Sequence, residues 1–199
     1  MAATVATLAR RRRAVAGLVF LLLALASVAT WAQPQLPPPA YQLAARQAGV
    51  PSLVLYAIAL QESGRRWQGR SVPWPWTLNV AGEAKRFASR HTACTSLLQA
   101  MDTTSDRRID VGLGQINLGY HRHRVTHPCD LLDPYQNLAI AAAILVEQRA
   151  AAPDWPAAIG RYHRPAGGAL ATRYQRLVQA HLDRLQDQVA NGLQVGGLQ

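Results

Sequence analysis

Residues 51–64 read "PSLVLYAIALQESG". From Leu53 to Leu60 every side chain is apolar or aromatic, so a helix here has no polar stripe to turn toward water and must be the central helix of an all-α core. Pro51 suits the first helical turn and Gly64 the stop. The carboxyl of Glu62 arrives where that apolar run ends. The helix macrodipole is negative there and burial removes water, so both effects disfavour the anion and keep the proton on. A general acid working near neutral pH needs that property.

Working outward, "PQLPPP" (34–39) is a stiff spacer and "AYQLAARQAGV" (40–50) has helical spacing that ends at Gly49. Downstream, "RRWQGRSVPWPWTLNVAGEA" (65–84) breaks the helical pattern with Pro73, Pro75 and Gly82 and gathers Trp67, Trp74 and Trp76. Within it "TLNV" (77–80) can form a short strand. Helical spacing resumes over 83–101 as one or two helices, "DTTSDRRID" (102–110) is a polar turn, and the glycines at 112 and 114 in "VGLGQIN" (111–117) argue against helix and allow close backbone approach. Asp133 with Pro134 and Asp154 with Pro156 are capping pairs that start two further helices. The stretch "ALATRYQRLVQAHLDRLQDQV" (169–189) reads as a basic amphipathic helix, and 191–199 as a mobile tail. The expectation is mainly α, about six helices in a small lysozyme-like domain over 40–190, with a loop-rich segment or short hairpin flanking a cleft. Periodicity alone reaches only an exported α-helical domain.

Export is read from the N-terminus. Arg10 to Arg13 precede the apolar run "AVAGLVFLLLALASVA", and small residues at Thr30 and Ala32 fit cleavage before Gln33, giving a signal peptide over 1–32 and a spacer over 33–39. The run is also long enough to stay as an anchor. Removing 32 of the 199 residues, with four arginines among them, leaves 167 residues and lowers the net charge from +10 to +6. That is enough chain for a real core. A basic surface suits anionic partners, and export together with scattered arginines argues against nucleic acid. In an oxidising compartment Cys94 and Cys129 pair naturally, with two free buried thiols as the alternative. No second cysteine pair supports zinc, and "HRHRVTHP" (121–128) reads as surface loop, so no metal or other cofactor is implied.

Glycosidic cleavage is the commonest use of such an acid on an exported protein, and most such enzymes need a second carboxylate. Of the eleven acids, Asp133 and Asp154 look like caps, and Glu147, Asp183 and Asp187 like helix surface. Glu83, Asp102, Asp106 and Asp110 are the candidate partners, none in a context resembling a nucleophile, which favours a one-carboxylate mechanism unless folding brings a distant acid close.

The segments "ALQESG", "DVGLGQIN", "DPYQNLAIAAAILVEQ" and "AAIGRYH" occur in that order, and together resemble the catalytic domain of the goose-type-lysozyme-like lytic transglycosylases, in particular the branch that accompanies type IV secretion, conjugation and pilus machines. The likeness spans roughly residues 40–182. It implies that Glu62 protonates the oxygen between N-acetylmuramic acid and N-acetylglucosamine in peptidoglycan, then as the anion takes a proton from the muramyl C6 hydroxyl, which closes a 1,6-anhydro ring. Substrate thus supplies the second functional group. The resemblance also makes Ser63 a residue that binds sugar or holds the carboxylate, Gln115 and Asn117 cleft amides, and Tyr162 the phenol that bonds the carboxyl, with His163 a candidate for the same rim. Plain helix-end, turn and core roles are the alternatives for these residues. Gly114 stands where many relatives carry methionine. Trp74 and Trp76 either stack on sugar faces, with Asn79 as hydrogen-bonding neighbour, or plug the loop. The resemblance further implies a periplasmic location, peptidoglycan strands as partner, possible contact with a secretion or conjugation machine, and membrane contact only through the signal segment. A lysozyme-type hydrolase using Glu83 or Asp110 and a non-catalytic wall-binding assembly factor are the competing readings.

Overall fold

A computed structural model describes the backbone of residues 37–196 and the side chains of residues 37–190. The expected signal segment, the first residues of the spacer and the last three residues of the tail lie outside the described residues. Mainly helical architecture with a small sheet is what the chain adopts, consistent with a lysozyme-like domain.

Helix α1 (Pro39–Ala48) ends at Gly49, whose φ of 71° lets its N–H reach the carbonyls of Ala45 and Arg46. Helix α2 (Ser52–Ser63) follows at once, with Pro51 at its N-cap rather than inside the first turn. Val54 to Leu60 are buried in succession, as an all-round apolar helix requires. It packs against α1, against α5 (Pro134–Ala150) and against the long α7 (Ala169–Gly196). Tyr41 of α1 meets Tyr56 edge to face at 4.8 Å. Gly64 ends α2 without a left-handed cap: its φ is −57° and the chain runs straight into a strand. Glycine is needed there because a Cβ would collide with the carbonyl oxygen of Leu60.

The irregular segment is two hairpins. Strand β1 (Gly64–Trp67) pairs with β2 (Arg70–Pro73), and β3 (Thr77–Val80) with β4 (Glu83–Arg86), both antiparallel. Residues 83–86, expected to begin a helix, are therefore strand. The turn Ala81–Gly82, both at positive φ, folds them back onto β3 before helical spacing can start. Helix α3 (Arg90–Thr103) begins only after Ser89, whose hydroxyl accepts from Thr92 N–H. Strands β5 (Ile109–Val111) and β6 (Ile116–Asn117) complete a four-stranded antiparallel sheet in the order β4-β3-β5-β6. Its register sets Leu78, Val111 and Ile116 in one buried row and Asn79, Asp110 and Asn117 in the next.

Short helical turns, including α4 (Leu118–His121) and the 3-10 turn Pro128–Leu132, lead to α5, capped by Asp133 on the N–H groups of Tyr135 and Gln136. Helix α6 (Trp155–His163) is capped by Asp154 on Ala157 N–H. Helix α7 continues through Gly196, past the residue where a loose tail was expected to begin. Cys94 of α3 is bonded to Cys129.

Candidate active site

Glu62 sits one residue from the end of α2, partly buried, and its Oε1 accepts a 2.6 Å hydrogen bond from the hydroxyl of Tyr174. Burial pushes its carboxyl up from 4.5 to about 7; the Tyr174 hydrogen bond opposes this and the negative charge of Asp110 adds to it. Tyr174 is buried on the inward stripe of α7 (Ala171, Tyr174, Val178, Leu182, Leu185), which packs on α2 and so delivers a phenol to the carboxyl. The exposed imidazole of His163 lies flat on the Tyr174 ring, with centroids 4.7 Å apart and planes 5° from parallel. The partial burial of its ring against Tyr174 lowers the His163 pKa, while Asp110 pulls it up and Arg164 down.

Facing α2 is the turn between β5 and β6. Gly112 and Gln115 both have positive φ, 83° and 46°, which the tight reversal demands. Buried Asn137 of α5 staples this turn: its Nδ2 donates to Val111 O at 2.9 Å and Leu131 O at 2.8 Å, and its Oδ1 accepts from Gly114 N–H at 2.8 Å. Tyr162 donates its hydroxyl to Gly114 O at 2.7 Å. A Cβ on Gly114 would come within 2.8 Å of both Ala141 Cβ and the Tyr162 hydroxyl, so the missing side chain is what admits those two neighbours. Beside the turn, Asn79 Nδ2 donates to Asp110 Oδ2 at 3.2 Å and Asn117 Nδ2 to Asp110 Oδ1 at 2.8 Å.

A carboxyl raised to about 7 at the end of an apolar helix, held by one phenol and facing a stapled glycine turn, has the properties a general acid needs. The transglycosylase SLT domain family matches residues 39–184. The chain belongs to this family. No curated protein and no solved structure matches it. Family membership makes peptidoglycan the substrate and transglycosylase-type cleavage of it the class of reaction.

Within this SLT domain several expected roles change hands. Tyr162 does not bond Glu62; its hydroxyl is spent on Gly114 O, and Tyr174 holds the carboxyl instead. Ser63 is fully buried and donates to the carbonyls of Ala59 (3.0 Å) and Leu113 (2.8 Å), so it ties α2 to the turn and makes no hydrogen bond to Glu62. Successive residues of a helix face about 100° apart, which is why the residue after Glu62 looks elsewhere. Gln115 braces its own turn through Gly112 O at 2.8 Å and Thr77 O at 3.3 Å. Asn79 and Asn117 face Asp110, and each keeps a buried amide oxygen without a partner.

Trp74 and Trp76 pack within the loop, partly buried. Trp74 gives its indole N–H to Phe87 O at 2.7 Å, meets Trp76 edge to face at 5.7 Å, and is covered by the Arg65 guanidinium at 3.5 Å, while Trp76 packs on the core. Two residues that sequence reasoning left without a role prove central. Asn137 is a lone amide among apolar α5 positions, a signal for a buried polar staple, whereas Tyr174 lay hidden in the apolar stripe of α7 and its hydroxyl had no sequence signature.

Proposed function

We propose that the chain is an exported lytic transglycosylase that opens peptidoglycan locally, with Glu62 as its single acid and then base. The observation that carries this reading is the Glu62 carboxyl itself, protonated up to about pH 7 and fixed by Tyr174. Glu62 gives its proton to the glycosidic oxygen between N-acetylmuramic acid and N-acetylglucosamine, and the bond to the muramyl C1 breaks with its electron pair on that oxygen. The carboxylate so formed takes the proton of the muramyl C6 hydroxyl, whose oxygen closes on C1 as a 1,6-anhydro ring and returns the acid. The charge of the carboxylate is moderated by Tyr174, whose hydroxyl donates more strongly to the anion than to the acid.

The segments that resemble the branch serving conjugation and type IV secretion support a role in making room for such a machine. The basic N-terminus with its apolar run supports cleavage near Ala32 and a periplasmic location. A net charge of +6 after loss of that segment suits glycan strands bearing peptide carboxylates.

Purified sacculi digested with the chain and with Glu62→Gln, and the muropeptides weighed by mass spectrometry, test the reading. Products one water lighter than hydrolysis products, absent with Glu62→Gln, are expected. Hydrated products would overturn it in favour of a lysozyme-type hydrolase, and sacculus binding without turnover in either protein in favour of a wall-binding assembly factor.

A further inference from the structure

The sheet register sets Asn79, Asp110 and Asn117 side by side across β3, β5 and β6, and both asparagines turn their N–H groups onto the one carboxylate between them. Nothing in the folding of the sheet requires an acid there, since the next row, Leu78, Val111 and Ile116, already fills the core face. The amides accept nothing in return, because their oxygens are buried and unpartnered. An arrangement of two donors, one on each carboxylate oxygen, favours the ionised form.

We infer that Asp110 is a second catalytic carboxylate, an anion clamped by Asn79 and Asn117 to face the positive charge that develops on the muramyl ring as the glycosidic bond breaks. The inference rests on the peptidoglycan-cleaving reading of Glu62 and adds to it the group that stabilises the cation between bond cleavage and ring closure. Asp110 forms no bond and moves no proton; its fixed charge acts while C1 is electron-poor and is balanced when the C6 oxygen arrives. A preorganised charge of this kind costs no reorganisation at the moment of reaction. Two carboxyls whose surroundings drive their protonation apart divide the work of acid and anion. Here Glu62 has one phenol and the greater apolar surround, and Asp110 has two amides. Burial raises Asp110 as well, and on balance it stays above its ordinary value, but the hydrogen bonds from Asn117 and Asn79 and the nearby His163 offset part of that rise. The charge of Asp110 in turn helps to keep the proton on Glu62.

The test compares wild type, Asp110→Asn, Asp110→Ala and Glu62→Gln on sacculi across pH. Asp110→Asn is expected to lower kcat on the order of 100-fold, the scale found when one preorganised electrostatic partner of a transition state is removed, with little change in KM. Its alkaline limb should move to lower pH. Activity needs Glu62 protonated, and Glu62 loses the neighbouring negative charge that raises it; of the other titratable groups facing the pair, Tyr162 and His163 lose the same charge and shift down with it, while Tyr174 feels Glu62 and Tyr162 rather than Asp110. Added formate should restore part of the activity of Asp110→Ala, and an equal concentration of chloride should not.

In unmodified wild type, carbon-13 NMR of the carboxyls should find Asp110 ionised at a pH where Glu62 still holds its proton, a result that does not depend on any variant folding. Asp110→Asn with wild-type kcat and alkaline limb, or an Asp110 that titrates after Glu62, overturns the inference while the reading of Glu62 stands. Glu62→Gln with wild-type turnover overturns the reading of Glu62 itself.

Discussion

Replacing Glu62 by glutamine should abolish turnover and make the protein more stable at alkaline pH. The carboxyl is raised from 4.5 to about 7 in the fold, chiefly by burial. Between those values the native state holds a proton that the unfolded chain has released, so stability falls as pH rises through the window and stays lost above it. The gap of some 2.5 units, at about 1.36 kcal/mol each, amounts to about 3 kcal/mol. Glutamine is neutral at every pH, nearly isosteric with the acid, and its carbonyl oxygen can still accept the Tyr174 hydroxyl. Glu62→Gln should therefore match wild type near pH 4 and exceed it by about 3 kcal/mol above about pH 8, roughly 6–12 °C in Tm for a domain of this size. Thermal unfolding of both proteins from acid to alkaline pH measures it. Parallel Tm curves would refute the reasoning, because they would mean that Glu62 titrates alike in the folded and unfolded chain and is not a buried acid.

Tyr174→Phe keeps the ring under His163 but removes a hydrogen bond that favours the Glu62 anion, so the alkaline limb of the pH-rate profile should move up by roughly one unit or less while kcat falls. Asn137→Ala strips partners from Val111 O, Leu131 O and Gly114 N–H together, and should cost about 3 kcal/mol or more in urea unfolding. Replacing Cys94 and Cys129 by serine opens a loop with a sequence separation of 35 residues, and should lower stability by about 3–4 kcal/mol without moving the pH profile.

How far such roles were legible depends on the range of the interaction that sets them. Helix α2 was readable because its signal is local: no polar residue interrupts Leu53 to Leu60, and no surface helix tolerates that. The caps at Asp133 and Asp154, each followed within two residues by proline, were equally local and lie where expected. Strand β4 failed on the same scale, because four residues are too few to separate alternation from helical spacing and the deciding feature was the positive φ of Ala81 and Gly82. Which tyrosine reaches Glu62 could not be local. Tyr174 is 112 residues away and arrives through the packing of α7 on α2, whereas Tyr162 sits in the more familiar motif and spends its hydroxyl on the Gly114 turn.

Asp110 shows what lies between those extremes. The stretch "IDVGLGQIN" alternates around its glycine turn, Ile109 and Val111 inward with Asp110 between them, and Ile116 inward with Asn117 beside it. That alternation says that Asp110 and Asn117 share a face as soon as the two segments are paired with Val111 opposite Ile116. "TLNV" adds Asn79 to the same face once Leu78 is set opposite Val111. A single slip of register on either side would send the acid into the core and the leucine out, so the apolar residues hold the carboxylate in place by forbidding every other pairing. The buried row that aligns the three strands is what brings Asp110 within reach of the charge of Glu62.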